Sequence, residues 1–166
     1  ITQINLNGAI VTGTSSDLVT AIEQHTTGFT GDFSITNNDY TLAELVTINN
    51  ATSGSITLRQ TGVNLEGTTT QFTSAFAGTI TSSTGKFTIT NSDYTLSELV
   101  TINSKTSGEI VLNTASTNLS GTSSDFVSAF AGTITSSTGN FTVTNSNYSL
   151  SELVTINSKT SGEIVL

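Results

Sequence analysis

Three glutamates recur at equivalent places in the sequence, and a row of carboxylates is one way to bind cations. They are Glu44, Glu98 and Glu152, spaced 54 residues apart. Each follows a Thr or Ser by three residues, the spacing of a capping box, in which hydroxyl and carboxylate bind the free N–H groups of a helix start. The intervening repeats carry another short acid or an amide at this place: Asp17, Gln71 and Asp125. Capping tolerates such exchanges better than a cation site does, so we interpret the glutamates as helix caps and predict no metal site.

The other side chains that could do chemistry occur singly or change between copies. The single histidine, His25, has threonine at the matching positions of later copies, so no Ser–His–acid set recurs and we predict a surface loop residue. Asp39 and Asp93 are replaced by Asn147 in the third copy, which is typical of a turn residue rather than a calcium ligand. The sequence also lacks the patterns of calcium-binding loops. We therefore predict no catalytic residues, no enzyme and no cofactor.

Composition excludes several further classes of protein. The 166 residues include no Cys, Met, Pro or Trp, and Thr, Ser, Asn and Gly make up just over half of them. Without cysteine, a disulfide scaffold, a structural zinc site and an iron–sulfur cluster are excluded. The net charge of −8 has the wrong sign for holding phosphate backbones, so we expect no nucleic-acid partner. No apolar run approaches the ~18 residues of a membrane-spanning helix, so we expect no membrane span.

The whole chain is an internal repeat. Residues 85–112 and 139–166 are identical at 24 of 28 positions, and a more diverged copy covers residues 31–58. Three double repeats follow, approximately residues 5–58, 59–112 and 113–166. Each double repeat divides into two coils of 27 residues, because an apolar position recurs at that spacing: Leu18, Leu45, Phe72, Leu99, Phe126 and Leu153. The next strand begins 15 or 11 residues later in alternate coils, yet the total length of a coil stays the same.

Each coil contains the local signals of a short helix and of short strands. Apolar residues follow the capping box at helical spacing for about two turns, as in residues 96–102. Strands with alternating apolar and polar residues follow Gly85 and Gly108, and a further extended piece ends at Gly67 and Gly121. An isolated helix this short is marginal in water, so packing against other coils must hold it.

A 27-residue coil cannot enclose a core alone, whereas stacked coils can shield one another's apolar side chains, as in solenoids. We predict one α/β solenoid array over residues 1–166, with about six coils, parallel strands and short helices. The predicted inward column of the strands is Phe33, Ile56, Phe87, Ile110, Phe141 and Ile164. Asparagines are expected at the corners, where a side-chain amide can bond turn backbone or a neighbouring coil: Asn37, Asn91, Asn145, Asn49, Asn103 and Asn157. An all-β solenoid is the alternative, if the helical segments are only single turns.

The outward face of the predicted strands is rich in hydroxyl groups. Pairs such as Thr88/Thr90 and Thr142/Thr144 resemble the flat faces of ice-binding solenoids, although the coils between them interrupt the array with residues such as Arg59. A hydroxyl-rich face that recognises glycans is a second interpretation. The composition therefore leaves more than one binding role open.

The segment DYTLAELVTINNATSGSITL, residues 39–58, resembles the Ser/Thr-rich tandem repeats of very large secreted or surface proteins of bacteria, especially cyanobacteria. The resemblance covers the whole chain and implies a structural or adhesive segment outside the cell, with no catalytic residues. Our main hypothesis is a structural repeat segment of an extracellular filament, fibre or surface layer, whose partners are adjacent repeats of the same or a neighbouring copy. An adhesin stalk that binds glycans is the alternative, and an ice-binding solenoid is a third hypothesis.

The last three residues, Ile164–Leu166, have the pattern of a core strand without a polar cap. Solenoids protect such ends with capping repeats. We therefore expect the 166 residues to be an excerpt of a longer repeat region, or another copy to stack on this end.

Overall fold

The helices and strands follow one order that is repeated three times along the chain. The computed structural model describes residues 8–25 and 29–166. The first double repeat contains β1 (Ile10–Gly13), α1 (Ser15–His25), β2 (Asp32–Ile35), α2 (Leu42–Ala51) and β3 (Ile56–Leu58). The second contains β4 (Leu65–Gly67), α3 (Thr69–Ala75), β5 (Phe87–Ile89), α4 (Leu96–Asn103) and β6 (Ile110–Leu112). The third contains β7 (Leu119–Gly121), α5 (Ser123–Ala129), β8 (Phe141–Val143), α6 (Leu150–Asn157) and β9 (Ile164–Val165).

The helices begin where the capping boxes predicted them. Thr41, Thr95 and Ser149 are the N-caps of α2, α4 and α6, and each forms a complete capping box with the glutamate three residues later. Thr68 and Thr122 cap α3 and α5 in the same way, with Gln71 and Asp125 as the partners. The chain therefore mixes helices with strands, and the all-β alternative is wrong.

Helix α1 differs from its equivalents in length, and this corrects the expectation for His25. It has 11 residues and ends at His25, whereas α3 and α5 have 7 residues each. In α3 and α5 the helix is followed by Gly78 and Gly132, which adopt the left-handed conformation with φ of 62° and 67° and so end the helix. Gln24, a good helix former, stands at the matching place of α1. His25 therefore lies in a helix rather than in a loop.

Three parallel sheets form, one in each double repeat, with the strand orders β1-β2-β3, β4-β5-β6 and β7-β8-β9. The expected pairs Phe33 with Ile56, Phe87 with Ile110, and Phe141 with Ile164 are present in the register. Parallel pairing requires a crossover between strands, and the short helices supply it.

The six inward strand residues do not form one continuous ladder, as the sequence suggested. On its outer side Ile56 is bridged to Ile80 rather than to Phe87, and the outer partner of Phe87 is Leu65. The reason is the alternating connection length. The longer connection from β3 to α3 has room for a second strand, β4, and this strand begins the next sheet. An Ile110–Ile134 bridge repeats the arrangement one double repeat later.

One apolar core runs between the helices and the sheets. Each helix contacts the next helix in chain order. The predicted helix positions Leu18, Leu45, Phe72, Leu99 and Phe126 are all at most 2% exposed, and Leu153 in α6 is half-buried. Phenylalanines of helix and strand meet inside, with ring centroids 4.5 Å apart for Phe72–Phe87 and for Phe126–Phe141. The core thus holds helices that are too short to be stable alone.

Candidate functional site: polar rows at the helix ends

The recurring glutamates are used as caps, as the sequence predicted. The backbone N–H groups of Thr41, Thr95 and Ser149 donate to the carboxylates of their glutamates at 2.7, 2.8 and 2.7 Å. In each case the glutamate N–H also donates to the N-cap hydroxyl, at 3.2 to 3.3 Å. The carboxylate therefore completes the hydrogen bonds of a helix start.

The same carboxylates also bind the preceding coil, which the sequence analysis missed. The Thr69 hydroxyl donates to Glu98 Oε1 at 2.9 Å, and the Ser123 hydroxyl donates to Glu152 Oε1 at 3.1 Å. Hydrogen bonds from the Ser149 backbone, the Ser149 hydroxyl and the Ser123 hydroxyl lower the pKa of Glu152, because they favour its charged form. Both oxygens of each carboxylate thus accept bonds from the protein itself.

Asparagines at one corner of each double repeat bind the start of the helix in the preceding coil. The Oδ1 atoms of Asn37, Asn91 and Asn145 accept from the backbone N–H groups of Ser15, Thr69 and Ser123 at 2.9, 3.0 and 2.8 Å. Their Nδ2 atoms donate to the hydroxyls of the same three residues at 3.0 to 3.2 Å. This confirms the predicted use of corner amides and shows that the bonds reach the neighbouring coil.

The acid that changes to asparagine in the third copy is a partner of these corner amides. Asn37 Nδ2 donates to Asp39 Oδ1 at 2.7 Å, and Asn91 Nδ2 donates to Asp93 Oδ1 at 2.8 Å. Asn147 accepts the equivalent bond at 2.9 Å. Since Asp and Asn both offer an Oδ1 acceptor, the exchange leaves the turn intact, and the turn interpretation is confirmed.

A second row of asparagines points from one helix end to the next helix. Asn49 Nδ2 donates to the Ser74 carbonyl and Asn103 Nδ2 to the Ser128 carbonyl, both at 2.8 Å. These carbonyls lie in the last turns of α3 and α5, where a helix leaves acceptors unpaired. Asparagine side chains therefore join consecutive coils at both ends of a helix.

Two tyrosines that the sequence analysis left without a role are buried and span coils. The hydroxyls of Tyr40 and Tyr94 donate to the carbonyls of Gln60 and Thr114, both at 2.6 Å, and each tyrosine is 2% exposed. Burial raises the pKa of Tyr40 to about 12. Their 54-residue spacing was the signal that could have identified them as core residues.

The outward hydroxyl groups do not form an unbroken array. Across the sheet, Thr88 lies between Glu66 and Val111. Ser34 is only 6% exposed, and its hydroxyl accepts a hydrogen bond from Arg59 Nε at 3.1 Å. A flat threonine face of the kind expected for ice binding is therefore interrupted within each of these sheets.

Residues 8–25 and 29–166 contain no group of three or more His, Cys, Asp or Glu side chains placed to hold a metal ion. Among the described helices, none is long and apolar enough to cross a membrane. The polar rows instead bind backbone and side chains of adjacent coils.

Comparison of the chain with protein families, with curated proteins and with solved structures finds no match.

Proposed function

We propose that the chain is a structural repeat segment of an extracellular filament, fibre or surface layer. In this proposal residues 1–166 form one α/β solenoid array of about six coils, and the array performs no catalysis. The observation that carries the proposal is the use of the recurring polar side chains: glutamate, asparagine and tyrosine in successive double repeats all bind an adjacent coil.

This pattern suits a load-bearing role because stability then comes from contacts between neighbours. In stacked repeats the free energy of folding is approximately a sum of terms within each repeat and between adjacent ones. Among the described residues, every buried side-chain nitrogen or oxygen has a hydrogen-bond partner. A filament built in this way can be lengthened by adding repeats without redesign of those already present.

The surface chemistry and the resemblance support a place outside the cell. The chain carries a net charge of −8, contains no cysteine and is rich in Thr and Ser, a composition that keeps a surface hydrated and free of thiol oxidation. The Ser/Thr-rich repeats of large bacterial surface proteins, which the sequence resembles, are proposed to be its relatives in function.

Immunogold electron microscopy with antibodies against the folded chain tests the proposal. On intact cells of the source organism we expect gold particles along surface filaments or a surface layer. Antibody that has been absorbed with the purified chain serves as the control. Labelling that appears only after the cells are opened would contradict the proposal.

Glycan-array binding separates the structural role from that of an adhesin stalk. The structural proposal expects no retained glycan. Retention that is lost when outward threonines such as Thr90 and Thr144 are replaced by valine would favour the adhesin instead.

A further inference from the structure

The surface formed by α6 and β9, which we call the α6 face, exposes side chains that are buried at equivalent places within the chain. Leu150 is 78% exposed, whereas its equivalents Leu42 and Leu96 are 4% and 3% exposed. Leu166 is 63% exposed, against 3% for its equivalent Leu112. The face borders an apolar hollow of about 360 Å³, lined by Leu153, Val154, Asn157, Ile164 and Leu166. A large exposed apolar patch of this kind marks an interaction surface.

The equivalent faces inside the chain show what kind of structure covers such a surface. A strand and a helix of the next double repeat cover them: β4 and α3 contact α2, and β7 and α5 contact α4. A glycine makes the closest approach. A Cβ atom on Gly67 would lie 2.6 Å from Leu42 Cδ2, and one on Gly121 would lie 2.5 Å from Leu96 Cδ2. At both junctions the leucine occupies the space that a larger residue would need.

The covering strand and helix occur once more in the chain, as β1 and α1. Residues 12–19 read TGTSSDLV and residues 120–127 read SGTSSDFV, identical at six of eight positions. Gly13 therefore stands where Gly121 stands. A Cβ atom on Gly13 would meet nothing nearer than Leu18, at 3.7 Å. The space that a leucine fills beside Gly67 and Gly121 is open beside Gly13.

We propose that the α6 face of one chain docks onto β1 and α1 of a second copy, with Leu150 seated against Gly13 of the partner subunit. The proposal rests on the proposed function and deepens it, because it names the contact by which separate copies form a filament. Two different surfaces meet, so the interface is heterologous. Each added copy presents a new α6 face, and association continues head to tail.

Sedimentation equilibrium of the 166-residue chain over a range of concentrations is the first test. We expect the average mass to rise continuously with concentration. Leu150→Asp removes an apolar contact and places a charge in the interface, so we expect association to weaken about 100-fold. Ser151→Asp is the matched control, because it adds the same charge one residue away. Its equivalent Ser97 stays exposed within the chain, and this variant should associate as the unchanged chain does.

Gly13→Val tests the other surface of the same interface. Its side chain would fill the space intended for Leu150 of the partner subunit, while the isolated chain has room for it. Far-UV circular dichroism and melting curves should therefore match those of the unchanged chain at concentrations where it is monomeric. We expect Gly13→Val to abolish the rise in mass as completely as Leu150→Asp does.

Mixing the two variants distinguishes head-to-tail docking from pairing of like surfaces. Gly13→Val keeps an intact α6 face and Leu150→Asp keeps an intact β1–α1 surface, so the mixture should form a 1:1 dimer and nothing larger. Self-association of Gly13→Val alone would overturn the proposal, because it would show that α6 faces pair with each other. An unchanged chain that stays monomeric up to about 1 mM would also overturn it. Neither outcome affects the immunogold result, on which the proposed function stands or falls independently.

Discussion

Replacing Gly108 with alanine tests how closely neighbouring coils are packed. A Cβ atom on Gly108 would lie 2.2 Å from the carbonyl oxygen of Gly85 and 2.7 Å from that of Thr84. The closest favourable carbon–oxygen contacts are about 3.3 Å, so the two backbones would have to separate by about 1 Å. The same approach recurs where Gly54 lies on Gly31 and Gly162 lies on Gly139, both at 2.3 Å.

The backbone hydrogen bonds that join the coils at this place determine the cost of the separation. Ser83 N donates to the Lys105 carbonyl, and Phe87 N donates to the Glu109 carbonyl, both at 2.8 Å. Weakening both bonds costs about 1–2 kcal/mol, and overpacking against backbone costs about 1–3 kcal/mol more. Alanine offsets up to about 1 kcal/mol by restricting the unfolded chain. We therefore expect Gly108→Ala to lower the free energy of unfolding by about 2–3 kcal/mol.

Urea unfolding followed by far-UV circular dichroism measures this loss. Gly62→Ala is the matched control, because the nearest atom to its Cβ would be Thr84 Oγ1, at 3.7 Å. We expect the control to stay within about 0.5 kcal/mol of the unchanged protein. In a thermal scan, Gly108→Ala should melt about 6–9 °C lower than the control. Equal midpoints for the two variants would refute the inference that the coils pack backbone to backbone at this place.

Three further changes test the core, the caps and a buried hydroxyl. Leu99→Asp places an unpaired charge at a position that is 0% exposed, so at least the neighbouring coils should unfold; an unchanged melting curve would contradict the core assignment. Thr95→Ala removes the cap of α4 and should cost about 1 kcal/mol in urea unfolding, clearly more than Thr101→Ala, whose exposed hydroxyl bonds only within the helix. Tyr40 should form its phenolate near pH 12 rather than near its ordinary value of 10.0. Its contribution to stability is therefore complete below pH 10.0 and is lost as the pH rises through about 12, and an absorbance titration of the protein against Tyr40→Phe checks both values.

Features that depend on residues close together in the chain could be predicted from the sequence. The capping boxes are an example, because Thr95 and Glu98 are separated by one helical turn and need no other part of the fold to meet. The alternation of apolar and polar residues likewise predicted the buried faces of the strands, such as Phe87 and Ile89, both 0% exposed. Periodicity alone was enough for these features.

The pairing between double repeats could not be predicted in this way. Phe87 and Ile80 are both apolar residues of extended segments in the same coil, and spacing does not say which of them pairs with Ile56. The structure selects Ile80, because the second strand in the longer connection, β4, occupies the position beside Phe87. The length of α1 depended on a similarly small difference, the presence of Gln24 where the later copies have a glycine.

The sequence by itself determined the length of a coil, the starts of most helices and the inward residues, because capping and side-chain alternation act within a few residues. Only the tertiary structure decided how the coils are joined. The bonds from Tyr40 to Gln60, from Asn103 to Ser128 and from Thr69 to Glu98 connect residues 20 to 29 positions apart. Whether such groups meet depends on how one coil is displaced against the next, and a repeat period does not specify that displacement.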